Sequence, residues 1–430
     1  MNLKPSQCAI TSLTITDHNK KVIVDKETNF KEYFSAIDIY ENIFNPFMTA
    51  DLTLIDGGSF VEKYNISGDE DFVIEFVGHG SDIRLKYKFK VIELLYNMPT
   101  PNLRSKNIGL RLASDECLVD SSTSISKSYE AGTKEIVRDI ITNFLSSKKK
   151  LSMEDTKDPP IIVLPYLSPF QSIDFIRQRI VSEKYKSSTF VFFENNKGFN
   201  LTTVEGLFER GMKSNPQKFL QNESVSENVK GGATSLSDTD SFHLFSNYTV
   251  KSSFNLNSSF KNGGLKSVIS QYDLTTKSFQ TKVFENSPSN KLFVDPSGGK
   301  NPQISSEIFK KYASNPNKPY FLPFLKYKET NNQTSNFVYD TVAERICYSN
   351  LFTMEKTYVD IPGNTRIEAG SVVYLDVPRY DAKEQKKGGN QMDSGYYLVT
   401  GCKHTITNGD TAKFDSHLEL MRFGRGVLNK

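Results

Sequence analysis

Hydrophobic and polar residues alternate along the first part of the chain, as they do in half-buried β-strands. The alternating or apolar stretches are LTLID (52–56), FVIEF (72–76), LKYKFKVIELLY (85–96) and IGLRLAS (108–114). Glycine clusters such as Asp56-Gly57-Gly58 and Gly78-His79-Gly80 separate them and are typical of tight turns. Residues 1–112 are therefore predicted to form a first antiparallel β-barrel or sandwich.

Between residues 113 and 212 the apolar residues recur at helical spacing. A first helix is predicted at about 132–147, where one face carries Ile136, Ile140, Ile141, Phe144 and Leu145. A second helix is predicted at about 169–186, with an apolar stripe of Phe170, Ile173, Ile176 and Ile180. These two helices predict an α/β module in the middle of the chain.

Two local signals fix the boundaries inside this module. Ser168 is a candidate N-cap, Pro169 occupies the first helical position, and Gln171 completes a capping box. A hairpin is predicted at about 189–204, because two β-prone runs flank the turn Asn195-Asn196-Lys197-Gly198. Asn and Gly are the residues that adopt the left-handed conformations such a turn needs.

Composition marks the remaining boundaries. Residues 213–240 are rich in Asn, Ser, Gly and charge and predict a polar linker. Strand character returns in residues 241–283 and 336–430, which predict a second β-barrel, whereas residues 284–335 predict a loop-rich insertion. The predicted fold class is mixed β with α/β: two similar antiparallel β-barrels in tandem, an intervening α/β module and the insertion.

The two β regions also echo each other. The first runs from Gly68-Asp69-Glu70 through FVIEF and YKFKVIELLY to KNIGLRLAS, and the second from Glu368-Ala369-Gly370 through SVVYLDV and YYLVTGCKHTI to FDSHLELMRF. The interval from Tyr87 to Ile108 nearly equals that from Tyr396 to Leu418. Any two antiparallel meanders share such spacing, so coincidence and duplication both stay open.

Charge and hydropathy exclude several classes. The net charge of +3, from 53 basic and 50 acidic residues, argues against a dedicated duplex-DNA binder. No run approaches the ~20 apolar residues of a membrane helix, and the polar, alternating N-terminus predicts a strand rather than a secretory signal. The four cysteines form no CxxC pair, which favours a reducing compartment.

Catalytic and cofactor motifs are absent from the sequence. There is no GxxxxGK[ST], GxGxxG, GxSxG or HExxH, so no catalytic, cofactor-binding or metal residue is predicted and no enzyme activity is expected. The nearest metal alternative is Cys402 and His404 on one strand with His417 across a hairpin, but a fourth ligand is missing. Carboxylate pairs for glycoside hydrolysis need not be adjacent in sequence and stay open.

Several stretches resemble the central baseplate hub protein of contractile-tailed, T-even-like bacteriophages. They are IDIYENIFNPFMTADLTLIDG (37–57) with ISGDEDFVIEF, LPYLSPFQSIDFIRQRIVSEK with FVFFENNKGFNL, FNLNSSFKNGGLKSVISQYDLTTKSFQTKVF (254–284), and IPGNTRIEAGSVVYLDVP with SGYYLVTGCKHTI and SHLELMRFG. Together they cover most of the chain, although the second is shared with other contractile machines. Residues 213–241 and 284–335 match no part of the family pattern.

The resemblance implies a structural homotrimer in the virion tail baseplate, assembled in the host cytoplasm. Its doubled barrels would join a threefold central spike to a sixfold tail tube and form the channel for DNA ejection. The implied partners are the spike, the tail-tube initiator ring, the tape-measure protein and baseplate wedge proteins, with DNA only in transit. The alternatives are a gate of a contractile secretion or tailocin device, and a hub with cell-wall hydrolase activity in its insertion.

Two turns are the candidate interaction sites. Asn45-Pro46-Phe47 and Pro362-Gly363-Asn364 carry the strongest turn signals in the two β regions. Turns exposed on a rigid scaffold commonly carry binding residues, although the same signals also serve simply to reverse the chain. A non-basic bore is further expected, because DNA must slide through it rather than adhere.

Overall fold

The computed structural model describes most of the chain outside its polar segments. The described residues are 3–17, 22–24, 33–57, 62, 64–68, 70–79, 83–101, 104–157, 161–221, 241–252, 257, 266–273, 277–285, 318–324, 345, 356–378, 393–409 and 411–422.

Strands dominate the fold, as predicted. The first seven are β1 (Gln7–Thr16), β2 (Val22–Val24), β3 (Phe34–Asn42), β4 (Thr49–Asp56), β5 (Asp71–Gly78), β6 (Arg84–Pro99) and β7 (Lys106–Ala113). The middle strands are β8 (Ile125–Tyr129), β9 (Leu151–Met153), β10 (Thr156–Lys157), β11 (Ile162–Leu167), β12 (Val181–Ser182), β13 (Phe190–Asn195), β14 (Gly198–Thr203) and β15 (Gln217–Gln221). The last are β16 (Leu244–Ser252), β17 (Lys266–Asp273), β18 (Ser278–Glu285), β19 (Lys318–Phe324), β20 (Lys356–Pro362), β21 (Val372–Asp376), β22 (Gly395–Thr407) and β23 (Ala412–Met421).

One 13-stranded sheet unites the two ends of the chain. Its order is β2-β1-β23-β20-β16-β15-β21-β22-β3-β4-β7-β6-β5, with additional pairings of β1 with β5 and of β22 with β23. The two stretches that echo each other both form three-stranded antiparallel meanders, β5-β6-β7 and β21-β22-β23. Strands β3 and β4 link the two meanders, because they lie between β22 and β7 in the sheet. Of these contacts, β22 pairs with β3 along seven residues.

Alternation buries one face of these strands. In β4 the residues Ala50, Leu52 and Leu54 are fully buried, while Asp51 and Thr53 between them are half-exposed. The N-terminal core also takes in Ile406 and Phe414 from the two C-terminal strands. A second β core forms around Phe219, Val373, Tyr397 and Leu420. Burial of these apolar side chains is what holds the sheet in register.

The middle module contains the helices of the described chain that span at least a full turn. They are α1 (Asp115–Ser122), α2 (Thr133–Asp139), α3 (Pro169–Arg177) and α4 (Val204–Lys213). Helix α2 continues into the π-helical turn Ile140–Phe144, and the predicted apolar faces of α2 and α3 pack in one core with β13 and β14. The predicted hairpin is confirmed: β13 and β14 pair from Phe190↔Thr203 to Asn195↔Gly198, with Gly198 at φ +122°.

The capping box of α3 is confirmed as well. The Gln171 amide donates to Ser168 Oγ at 3.4 Å, and the Ser168 amide donates to Gln171 Oε1 at 3.3 Å. Ser168 Oγ also donates to Asp120 Oδ2 at 3.1 Å, which joins α3 to α1.

Replacing Ser168 with alanine is expected to lower the free energy of unfolding by about 1 kcal/mol, because one helix-terminal N–H loses its acceptor. Chemical denaturation of the purified protein measures this change. Ser126→Ala, on the exposed side of β8, is the matched control and is expected to change stability by less than about 0.5 kcal/mol. Equal effects of the two substitutions would contradict a capping role.

The two predicted helices are shorter than expected. Helix α3 ends at Arg177 rather than near residue 186, because Val181 and Ser182 pair with Lys157 and Thr156 as strand β12. Ser182 is further held by its own amide, which donates to the Ser187 carbonyl at 2.8 Å. The regular α-helix at 132–147 ends at Asp139 because the π-helical turn follows it.

The predicted linker and insertion are also partly ordered into strands. Gln217–Gln221, expected in the linker, form β15 and pair in parallel with β21, because Phe219 is fully buried in the second β core. The remaining linker residues, 222–240, lie outside the described residues. Within the insertion, β19 pairs in parallel with β17, and β17 pairs with β18. Strands β17 and β18, expected in the second barrel, therefore form a separate three-stranded sheet with β19 and are not part of the 13-stranded sheet. Most other residues of the insertion lie outside the described part of the chain.

None of the helices in the described ranges combines the length and apolar character that crossing a membrane requires. Cys8, Cys117 and Cys402 are free thiols, and Cys347 lies outside the described residues.

Candidate interaction surfaces

A polar face extends across seven strands and joins the two β regions. Its first row follows the strand register from β6 to β20: Glu93, Arg111, Asp51, Asp38, Thr405, Asp415 and Pro362. Its second row runs through Thr49, Tyr40, Lys403, His417 and Asp360 on β4, β3, β22, β23 and β20. We call these two rows the polar face. The strand neighbours of these residues, such as Leu52 and Ile406, are buried in the core.

Ion pairs organise the polar face. Arg111 Nε lies 3.1 Å from Asp51 Oδ1, and Lys403 Nζ lies 2.9 Å from Asp38 Oδ2. Thr405 Oγ1 donates to the other oxygen of Asp38 at 2.6 Å. Carboxylates outnumber cations on this face, so its charge balance is acidic. Such partly exposed pairs add little stability.

The predicted turn Asn45-Pro46-Phe47 lies where the first β region meets the α/β module. Phe47 is half-buried and its ring stacks on Phe170 of α3, with 5.8 Å between the centroids. Pro46 lines a cavity of about 610 Å³, together with Phe175 of α3. The preceding Phe44 is 50% exposed. The turn thus contributes both to internal packing and to an apolar surface.

The predicted turn Pro362-Gly363-Asn364 is mostly internal. Gly363 is buried, and its amide donates to the Phe414 carbonyl at 2.9 Å. Asn364 is 1% exposed and its side-chain amide donates to Gln217 Oε1 at 2.6 Å. The turn therefore connects β20 to β15 and has little area left for a partner.

A buried carboxyl group joins three distant parts of the chain. Glu41 of β3 accepts hydrogen bonds from the Ala369 amide at 3.1 Å and from Tyr87 Oη at 3.3 Å. Burial, together with the nearby Glu368 carboxylate, raises the pKa of Glu41 to about 8. Glu368 itself pairs with Lys197, whose Nζ lies 2.6 Å away in the β13–β14 turn. Glu41 is therefore predominantly protonated near neutral pH.

A second buried network connects the first β region to the α/β module. Glu194 Oε2 accepts from Ser114 Oγ at 2.7 Å and from the Met48 amide at 3.2 Å. Lys149 Nζ lies 2.5 Å from both Glu194 Oε1 and Glu116 Oε2. Burial raises the pKa of Glu194, and the Lys149 ammonium opposes that shift. Sequence periodicity does not reveal this network, since its members are far apart in the sequence and several lie between helices and strands.

The metal alternative is wrong. The register places Leu418 opposite Cys402 and Ser416 opposite His404, so His417 lies on the other side of the sheet. There His417 Nδ1 contacts Asp360 Oδ1 at 2.5 Å. His404 is buried with Nδ1 2.9 Å from Ser416 Oγ, and burial lowers its pKa to about 4. Within the described residues, no three His, Cys, Asp or Glu side chains could together hold a metal ion.

Comparison with solved structures shows which known proteins share this fold. A tail protein from Neisseria meningitidis MC58 aligns with 95% of this chain and 96% of its own at 8% identity, with a TM-score of 0.55. The 43 kDa tail protein of prophage MuSo2 from Shewanella oneidensis aligns with 96% of this chain and 98% of its own at 10% identity, with a TM-score of 0.52. No family model matches the chain, and a search of curated proteins gave no significant match.

The chain therefore has the fold of phage tail proteins. The resemblance predicted from the quoted stretches is confirmed at this level, and the two alignments extend it over nearly the whole chain. The polar face was not predicted as a unit. The sequence predicted strands at 52–56 and 108–114, but only the pairing of β3 with β22 joins the polar residues of the two β regions into one surface.

Proposed function

We propose that this chain is the structural hub of a contractile-tail baseplate and that three copies form a ring around a central channel. The observation that carries the proposal is the pair of similar meanders, β5-β6-β7 and β21-β22-β23, within one sheet. A subunit with two similar β units gives a trimer six similar units. Such a ring can join a threefold spike to a sixfold tube.

We infer that the two units are the predicted β-barrels. The pairings of β1 with β5 and with β23 favour one ring of strands, and the pairing of β15 with both β16 and β21 favours a second. In this interpretation the long strands β22 and β23 belong to both rings. This topology supports a tandem arrangement in which the barrels share strands instead of being joined only by a linker.

The acidic balance of the polar face supports its placement along the channel. DNA is retained by clusters of lysine and arginine that neutralise its phosphates. On this face Arg111 and Lys403 are already paired with Asp51 and Asp38, which leaves no unpaired lysine or arginine in the two rows. A polyanion can therefore pass along it without being held. The tail-tube initiator ring, tape-measure protein and wedge proteins are the expected partners on the remaining surfaces.

The turn that contains Asn45, Pro46 and Phe47 is the proposed contact between subunits. Phe44 is half-exposed beside the cavity that Pro46 lines, so this site offers apolar area at the boundary of two modules. Apolar area that a neighbouring subunit can cover is typical of stable interfaces. The turn Pro362-Gly363-Asn364 is assigned a different role: it is mostly internal, and we infer that it stabilises the fold of the subunit instead of contacting a neighbour.

The expected mass of the purified protein in solution is three times 48.7 kDa. Light scattering coupled to size exclusion at tens of micromolar measures it, and negative-stain averages are expected to show threefold or pseudo-sixfold rings. Phe44→Ser should shift the trimer toward monomer, whereas Ile83→Ser, at a similarly exposed apolar side chain, is the control. A strictly monomeric protein at these concentrations would contradict the proposal.

A further inference from the structure

A basic cleft lies between the α/β module and the second β region. It encloses about 830 Å³ and is bounded by β9, β14, α4, β15 and the residues that precede β21. Five cationic side chains line it: Lys150, Lys197, Arg210, Lys218 and Arg366. Glu368 is the one carboxylate among the lining residues that the structure describes. The cleft is thus strongly positive within a nearly neutral chain.

Part of this positive charge has no anionic partner among the residues that the structure describes. Lys197 pairs with Glu368, and Lys218 Nζ lies 3.0 Å from Asp376. Arg210 Nη1 donates only to neutral oxygens, Ser152 Oγ at 3.3 Å and Asn200 Oδ1 at 3.4 Å. Over the described ranges, no carboxylate lies within ion-pair distance of Lys150, Arg210 or Arg366. These three cations have no carboxylate partner in the described part of the chain, and we expect them to bind an anion.

The cleft also has an apolar base. Buried side chains of Phe193, Leu207 and Val372 line it beneath the cationic rim. The walls approach closely at Gly211, where a Cβ atom would lie 2.2 Å from Val372 Cγ2. A base of this kind is preformed, because packed side chains from α4 and β13 hold it in place. It suits a ligand that carries an apolar group between its charges.

The size of the cleft distinguishes between duplex DNA and a single polypeptide as the anionic ligand. A volume of about 830 Å³ equals a cube with an edge of roughly 9 Å, whereas the major groove of B-DNA alone is about 12 Å wide. A whole duplex, which is wider than its major groove, therefore does not fit inside the cleft. A single extended polypeptide, whose neighbouring side chains point in opposite directions, can place carboxylates on the rim and an apolar side chain on the base.

We propose that this basic cleft is a binding site for an acidic polypeptide segment, with carboxylates that flank at least one apolar side chain. Arg210 and Arg366 present planar guanidinium groups that match carboxylates, and Lys150 adds a third charge. The site does not depend on the hub role, since all of its lining residues belong to a single chain. Its chemistry identifies the class of ligand independently of the assembly in which the chain works.

Fluorescence anisotropy with the full chain and a labelled peptide of alternating aspartate and leucine tests the proposal. The peptide is expected to bind, and the same peptide with asparagine in place of aspartate is not. The double variant Lys150→Gln/Arg366→Gln should weaken binding about five- to twentyfold, since each exposed ion pair contributes about two- to fivefold. Lys148→Gln, an exposed lysine of the same basic run outside the cleft lining, should leave affinity unchanged.

Competition titrations distinguish an acidic polypeptide from other anions as the ligand of the cleft. Inorganic phosphate and a short DNA duplex are titrated as competitors, and neither should displace the peptide at concentrations that leave ionic strength unchanged. Displacement by the duplex would overturn the proposal in favour of nucleic acid. Equal binding of the asparagine peptide, or equal losses in Lys148→Gln and the double variant, would also overturn it. A monomeric protein that still binds the acidic peptide would reject the hub role and keep this site.

Discussion

Replacing Glu41 with glutamine is expected to raise the free energy of unfolding above pH 8 by an amount on the order of 3–5 kcal/mol. The pKa of Glu41 rises from 4.5 in the unfolded chain to about 8 in the fold. Between these values the folded chain keeps a proton that the unfolded chain has lost. Wild-type stability therefore falls as the pH rises from about 4.5 to 8, and glutamine removes that fall because it carries no charge.

The measurement is the difference in unfolding free energy between Glu41→Gln and the wild-type protein from pH 4.5 to 9. A difference cancels other titrating groups, including His404, whose lowered pKa costs stability as the pH falls from 6.5 toward about 4. Glutamine Oε1 can accept from the Ala369 amide and its Nε2 can donate to Tyr87 Oη, so both contacts of Glu41 have a counterpart. Glu93→Gln, on the exposed part of β6, is the control. A difference that is constant with pH would show that folding does not raise the pKa of Glu41.

The sequence predictions that were confirmed depend on residues close to each other in the chain. The capping box at Ser168 and the turn from Asn195 to Gly198 depend on neighbours within a few residues, and both formed as expected. The two meanders were likewise visible because each strand alternates and each turn is marked. Composition alone gave the wrong prediction at Gln217–Gln221. These residues are polar enough to suggest a linker, but they form a strand because Phe219 is buried in the second β core.

Contacts between distant parts of the chain could not be read from the sequence. Cys402 and His404 alternate correctly with Lys403, yet the register of β23 decides that His417 faces away from them. The basic cleft has the same origin, since Lys150 and Arg366 meet only because β9 and the residues before β21 come together in the fold. The pairing of β3 with β22 likewise depends on distant residues, because apolar side chains from both ends of the chain are buried together in the N-terminal core.

Replacing Gly363 with alanine is expected to lower the free energy of unfolding by about 2–4 kcal/mol. A Cβ atom at this position would lie 2.2 Å from Cγ and Cδ1 of Phe414 and 2.5 Å from its carbonyl oxygen. Phe414 is fully buried and its ring packs edge-on against Phe76, with 5.1 Å between the centroids. The ring therefore has no space into which it can move. Thermal and chemical denaturation measure the loss.

Gly57→Ala is the matched control, because beyond its chain neighbours no atom of the described residues lies within 4 Å of the added carbon there. Its expected effect is within about 0.5 kcal/mol. The comparison also separates the two roles considered for Pro362-Gly363-Asn364. If the turn serves only to shape the fold, Gly363→Ala destabilises the chain and any remaining folded protein keeps its oligomeric state. Unchanged stability with a lost trimer would instead assign the turn to an interface, and would contradict the close contact with Phe414.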